Sequence, residues 1–343
     1  MWMRTYKKIP VAGNDIKRPS IEAKKRKRMK RLITAIIVSL LAIPSVIMGQ
    51  KIVFTPQWTA QSQFAGYYVA QEKGFYKEAG VDVEIVHPSA SYPATNRLIE
   101  GSSNVITLQL MQAIAEIDKG TELVNILQTS QHNGLVIVSR KDSLGRFNDL
   151  KGKKVGIWQA GFGELALLAD KELGLGIQWI PFIQNANLFL SGAIDATLAM
   201  SYNEYLQIYS SGFENAPVLR FNEAGFDIPE DGVYVTRDFY NRFPTKMEAF
   251  AQASRRGWEW AHAHPAEALE IVLKVMEREK VPANRIHQEW MLEEVLRLQK
   301  DTPHGTATFQ FDEEKFSRAV DMMYRHGLIA SPVKPEQMKG GAR

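Results

Sequence analysis

Residues 51–86 read KIVFTPQWTAQSQFAGYYVAQEKGFYKEAGVDVEIV, and they spell a complete βαβ unit. Ile52, Val53 and Phe54 form a short apolar strand that ends at Pro56 and Thr59, in a loop carrying Trp58. From Gln63 the spacing turns helical: Phe64, Tyr67, Tyr68, Ala70 and Phe75 fall near one stripe. Gly74 interrupts that helix, and Gly80 sits where a helix C-cap belongs. Val81, Val83 and Ile85 then alternate as a second strand. In open α/β sheets ligands bind beyond the carboxyl ends of strands, which is where Trp58 stands.

Further βα units follow. Residues 104–109, 123–127 and 135–139 read as strands separated by helical or polar stretches. After a turn-rich junction at 148–153 the pattern restarts, with strands at 155–158, 177–180, 196–200, 217–221 and 232–236. From Arg237 the chain reads helical, at about 246–263, 266–280, 284–300 and 312–326. Two βα blocks and a helical C-terminus predict two α/β lobes with a ligand cleft between them. The strands 135–139 and 233–236 bracket the second block and are the expected crossings, so lobe one takes 50–139 plus 235–330 and lobe two takes 140–234. The tail from 331 to 343, rich in Pro, Lys and Gly, reads as disordered.

The +4 formal charge of the 343 residues is unevenly spread. Residues 1–31 hold 12 Lys/Arg against 2 Asp/Glu, so a tail of +10 precedes a remainder of −6. A mildly acidic folded part is a poor match to nucleic acid, whose phosphates need cations. Zero cysteines exclude disulfides, thiolate metal sites, a cysteine nucleophile and a lipidated cysteine. The seven histidines show no zincin spacing, so no metal site or cofactor is read. KKRKRMKR at 24–31 followed by the 17-residue apolar run LITAIIVSLLAIPSVIM reads as a signal peptide spanning 1–49, cut after Gly49. The competing reading is an uncleaved anchor with the basic end kept inside. Both place the folded part outside the cytoplasm.

Three motifs carry a family resemblance. Trp58-Thr-Ala-Gln-Ser-Gln-Phe-Ala-Gly66 followed by YVAQEKGFYKEAGVDV resembles the W-T-P-N-T-N-H-A-G and Y-V-A-x-E-K-G-Y-F-K-E-x-G-L-D-V of periplasmic solute-binding proteins of the thiamine-pyrimidine-precursor branch. DATLAMSYNEY at 195–205 resembles that branch's D-A-x-x-x-M-x-Y-N-E, and LVIVSRKDS with LKGKKVG is similar to its hinge. The resemblance spans about residues 51–330. It implies a two-lobe periplasmic-binding-protein fold, type II-like, with the ligand in the inter-lobe cleft. It further implies a monomeric receptor handing a small planar nitrogen heterocycle to an ABC permease in the inner membrane. A sensory receptor docking on a membrane kinase would use the same binding chemistry, and riboflavin or sulfonate and nitrate binders are related alternatives. The branch's His stands here as Phe64, and its two Asn as Gln61 and Gln63. The related eukaryotic pyrimidine synthase consumes that His and needs a cysteine-rich motif, so Phe64 and the missing cysteines argue against an enzyme.

Site candidates follow from position. Trp58 is expected to stack on a flat ligand, with Phe64 as a second wall; ordinary packing is the alternative for each. Tyr67 and Tyr68 are adjacent on a helix, so one faces the cleft, and Tyr67 is preferred. Gln159, Gly161, Phe162 and Glu164 form a glycine-containing turn into a helix, whose free N–H groups can hold a carbonyl or anion. Tyr202, Asn203 and Glu204 open another helix at the ligand end, where Asn203 also suits an N-cap. Tyr92, Gln109 and Gln131 end other strands or loops of lobe one and are candidate polar contacts.

The export reading predicts that N-terminal sequencing of protein from its native host begins near Gln50. A start at Met1 in the soluble cytoplasm contradicts it, and an intact start in the membrane favours the anchor.

Overall fold

The computed structural model describes residues 51–89, 91–159, 161–182, 187–302 and 305–340. The signal-like segment and residues 341–343 lie outside the described residues. In chain order the strands are β1 (Ile52–Thr55), β2 (Val83–Ile85), β3 (Val105–Gln109), β4 (Leu123–Gln128), β5 (Leu135–Ser139), β6 (Lys154–Trp158), β7 (Gln178–Phe182), β8 (Ala196–Met200), β9 (Val218–Arg220) and β10 (Asp231–Thr236). They form two five-stranded sheets, ordered β2-β1-β3-β10-β4 and β7-β6-β8-β5-β9. In each sheet the first three strands are parallel, while β10 and β5 run antiparallel to both neighbours. Strands β5 and β8 are buried at every position and apolar at nearly all, as expected for strands covered on both faces.

The two antiparallel strands were the expected inter-lobe crossings, and this needs correcting. β5 already bonds to β8 and β9, and β10 to β3 and β4. Every residue of β5 pairs within the second sheet and every residue of β10 within the first, so neither strand runs from one sheet to the other. The crossings are the irregular segments just before each strand, 129–134 and 221–230. The first sheet therefore draws its strands from 51–128 and from Asp231 onward, and the second from 135–220.

The C-terminal helices return to lobe one. Helix Pro244–Ala263 lies against helix Ala65–Glu72, and Gly66 and Gly257 let the backbones meet. A Cβ on Gly66 would fall 2.2 Å from Trp258 Cδ2, and one on Gly257 would fall 2.0 Å from Gly66 O. Around this crossing Tyr67 packs edge-on to Phe54 (4.8 Å) and Trp258 (5.5 Å), and Tyr76 stacks on Phe250 at 5.3 Å. Helix Arg285–Leu298 touches both lobes: Gln288 Oε1 accepts from Ser62 N (2.7 Å), and Trp290 Nε1 donates to Ser201 O (2.8 Å).

The tail, expected to be disordered, is ordered through Gly340. Val333 and Met338 are buried, and Arg237 donates to Gln337 O at 2.8 Å and Lys339 O at 3.0 Å. Two apolar residues in a polar run, plus backbone acceptors for one cation, outweigh the composition that signalled disorder. Among the described residues no helix is long and apolar enough to cross a membrane.

The Gly66–Gly257 crossing makes a direct prediction. Gly257→Ala gains roughly 1 kcal/mol of helix propensity but overpacks a backbone contact, at a cost of about 1–3 kcal/mol or more. A lowered urea midpoint is expected. An unchanged or raised midpoint means the helices part without penalty.

Candidate functional site

The loop after β1 is held by its own amides. Gln57 N donates to Thr107 Oγ1 at 2.8 Å. The side-chain amides of Gln57 and Gln63 each donate to one oxygen of Asp231, both at 2.7 Å, and Gln61 donates to Gln63 Oε1 at 2.7 Å. Asp231 opens β10, so the loop bearing Trp58 is fastened to the strand that has just crossed from lobe two. Across the loop, His87 Nδ1 donates to Trp58 O at 2.7 Å. Its Nε2 therefore accepts from Tyr68 OH at 3.0 Å. Burial lowers the His87 pKa, which suits this neutral tautomer.

Lobe two brings up a strained turn. Gly161 and Phe162 both take left-handed backbone, at φ 72° and 65°. The conformation is costly for Phe162 and places its ring edge-on against Trp58, centroids 5.8 Å apart at 87°. Trp58 itself is 48% exposed. A Cβ at Gly161 would stand 3.3 Å from Gln112 Nε2 of lobe one. Glu164 follows at the first position of helix Glu164–Leu173, and burial raises its pKa.

Between these aromatics and the crossings lies a crevice lined by Gln109, Met111, Asn133, Phe162, Met200 and Glu230 among others, none of them cationic. Its volume is about 20 Å³, room for about one water. Glu230 sits at the end of the second crossing. Its Oε1 accepts from Gly134 N (2.8 Å) and its Oε2 from Tyr202 OH (3.2 Å). Burial, with Asp231 adjacent, pushes the Glu230 pKa up to about 8, and burial pushes Asp231 up to about 6 despite its two amide donors. The crossings are also tied to each other. His132 Nδ1 contacts Asp227 Oδ2 at 2.6 Å, and Lys315 donates to Asp227 Oδ2 and Gln131 O at 2.6 Å each. Burial would raise the Asp227 pKa, but these hydrogen bonds outweigh it and hold it low.

The sequence candidates divide accordingly. Trp58 and Phe162 meet, and Gln109 lines the crevice. Phe64 is not a wall: it is 0% exposed in the core, with its ring 6.1 Å from His87. Tyr67 does not face the cleft either, because Phe54 and Trp258 enclose it. Tyr92 is engaged away from the crevice, donating to Glu100 at 2.5 Å under the Arg97 guanidinium. Gln131 points to backbone, reaching Gln128 O at 3.4 Å and Gln310 O at 3.3 Å. Gln159 is exposed, and its N bonds Phe182 O at 2.9 Å. Glu204 is turned back on its own strand end, accepting from Met200 N (3.0 Å) and Asn203 Nδ2 (3.1 Å). Asn203 therefore makes no side-chain cap. Tyr202 reaches the crevice only through its bond to Glu230.

Sequence reasoning missed Asn133, Glu230 and Asp231. They lie in QHNG, inside the polar stretch that precedes the strand at 135–139, and in IPEDG, between the strands read at 217–221 and 232–236. The available signal was the pair of adjacent acids immediately before an apolar strand, where a solvated turn needs no such placement.

Comparison with known proteins agrees with this architecture. The model of the NMT1/THI5-like family matches residues 61–268. The riboflavin-binding protein RibY of Chloroflexus aurantiacus is 23% identical over 305 residues, covering 84% of each chain. The formylaminopyrimidine-binding protein of Halalkalibacterium halodurans is 24% identical over 291 residues, covering 81% of this chain and 86% of that one. Among solved structures, the periplasmic aliphatic sulphonate binding protein SsuA from Escherichia coli superposes with a TM-score of 0.60 at 15% identity, covering 85% of this chain and 92% of that one. The fold is the two-lobe fold of periplasmic binding proteins.

The raised carboxyls predict a pH dependence with a definite sign. A group that binds its proton more tightly when folded favours the folded state at low pH and loses that advantage as pH rises through its folded pKa. The window runs from the ordinary values of 3.8 and 4.5 to the raised values of about 6 and about 8. The melting midpoint of the native protein relative to Glu230→Gln isolates Glu230 and is therefore expected to fall between the ordinary 4.5 and the raised value of about 8 and to level off above it. A difference that stays flat, or rises with pH, contradicts the assignment.

Proposed function

The chain belongs to the NMT1/THI5-like family, and on that premise we propose that it is the extracytoplasmic binding component of an ABC importer for a small planar nitrogen heterocycle, such as a thiamine pyrimidine precursor. It binds and releases the solute without chemical change and passes it, as a monomer, to a permease in the membrane. Relatives named as riboflavin-binding and formylaminopyrimidine-binding proteins support a ring-shaped solute.

One observation carries the ligand class. Phe162 of one lobe lines a crevice whose lining holds a carboxyl and no cation, and its ring meets Trp58 of the other lobe edge-on. Two aromatic rings from opposite lobes fit the faces or edges of a flat ring as it is enclosed. A sulfonate or nitrate would instead find no Lys or Arg in the lining to pair with its charge. The sulfonate reading is therefore the weaker one, although the fold is shared.

Mass spectrometry of solute released from protein purified from its native host tests this. An aminopyrimidine or isoalloxazine mass is expected; an alkanesulfonate overturns it. Trp58→Ala should weaken binding of the recovered solute by about 1–3 kcal/mol, with little change in the ligand-free melting midpoint because the side chain is half exposed. Loss of the fold with normal binding by the remaining folded fraction would make Trp58 a packing residue.

A further inference from the structure

Asn133 and Glu230 occupy the two crossings, one on each, and both line the same crevice. Both are buried, at 1% and 6% exposure. They are held together through the backbone, since the N–H of Gly134, next to Asn133, donates to Glu230 Oε1 at 2.8 Å. The Asn133 amide is fixed in orientation: its Nδ2 donates to Phe226 O at 2.8 Å. That leaves Oδ1 buried with no hydrogen-bond partner among the described residues. A buried acceptor without a donor costs free energy comparable to a lost hydrogen bond, so such an atom calls for a partner.

An acceptor inventory gives the partner's chemistry. The amide oxygen has two lone pairs and uses neither. Each oxygen of Glu230 receives one bond and has capacity for a second. No Lys or Arg lines the crevice to fill these positions. The raised pKa leaves Glu230 a proton near neutral pH, and that O–H can turn to Tyr202 Oη, so the capacity left at the crossings is the Asn133 amide oxygen and the Glu230 carbonyl oxygen, both of which ask for N–H groups.

We propose that Asn133 and Glu230 are the specificity-determining pair of this crevice, jointly accepting the N–H donors along one edge of the bound ring, from an exocyclic amino group or a ring N–H. The inference rests on the heterocycle reading above and adds to it which edge of the ring is recognised and by which residues. Neither of the paired aromatics distinguishes one flat ring from another, because every such ring has a face. The crossing pair does, since a ring whose edge bears only acceptors or methyl groups leaves Asn133 Oδ1 unpaired and crowds the Glu230 oxygens. Placement on both crossings also means that a ligand bonded to the pair bridges the two segments about which the lobes move.

Titration calorimetry of the purified protein tests the pair with defined probes. These are 4-amino-2-methylpyrimidine and riboflavin, their N-methylated counterparts 4-dimethylamino-2-methylpyrimidine and 3-methylriboflavin, and ethanesulfonate. A site built to bond N–H groups rejects an analogue lacking them strongly, so methylation of the bound probe is expected to weaken binding on the order of 100-fold or more. Glu230→Gln and Asn133→Ala should each weaken the parent probe at least tenfold and shrink its preference over the methylated form, with ligand-free melting measured as the folding control. The methylation series is read on the native chain, so it decides the matter even if a variant fails to fold. Equal binding of parent and methylated probes overturns the pair's role while leaving the heterocycle reading in place. Binding of ethanesulfonate alone, or of no probe, overturns both.

Discussion

The site depends on one buried carboxylate. Asp231 leaves the second crossing, opens β10 and takes an amide hydrogen bond on each oxygen, from Gln57 and Gln63. Its backbone oxygen is claimed as well, by Thr129 Oγ1 at 2.7 Å and Gln128 Nε2 at 2.9 Å. Desolvating a carboxylate is expensive, and neutral amides repay it only in part, which is why its pKa stays raised. In return, one residue fixes the loop that presents Trp58 through its side chain and the end of β4 through its backbone oxygen. The two crossings and the aromatic loop therefore share one frame. Lobe two contributes the strained Gly161–Phe162 turn opposite Trp58.

Much of the fold was legible in the chain. The alternation of Val81, Val83 and Ile85 and the helical stripe through Phe64, Tyr67 and Tyr68 are local signals, and the elements formed where those signals lay. The restart after residue 153 and the long helices beyond Arg237 were legible for the same reason. The position of the crossings was not, because it depends on which sheet pairs β5 and β10, a non-local choice that neither strand's own sequence encodes. The tail was misread through composition: its polar residues outnumber Val333 and Met338, but those two do the packing.

The site was only partly legible. The rule that ligands gather at strand ends points to Trp58, Phe162 and Gln109; the structure brings Trp58 against Phe162 and sets Phe162 and Gln109 in the crevice lining, and their binding roles are proposals. Phe64 and Tyr67 failed because a motif position says which helix a residue is on and not which face is covered, and here Trp258 and Phe54 cover it. Glu204 failed because an acid at a helix start satisfies the N–H groups beside it before it meets any ligand. Glu230 and Asn133 were hidden in turn-like sequence, and only burial reveals them: an acid or amide in a solvated turn and one sealed at the base of a crevice have the same letters. The substitution of Gln61 and Gln63 for the branch's Asn is likewise clearer in three dimensions, where the longer Gln63 reaches Asp231.

The central claim is that a flat, N–H-bearing ring binds between the lobes, with its edge at the crossings and Trp58 and Phe162 about it. A crystal structure of the protein as purified from its native host tests this most directly. Planar density in the crevice, within hydrogen-bond distance of Asn133 Oδ1 and Glu230 and flanked by Trp58 and Phe162, is the expected result. Ligand density elsewhere, as in the roughly 310 Å³ groove beside β4 lined by Tyr240, Met247 and Arg255, or a tetrahedral anion in the crevice, would contradict it.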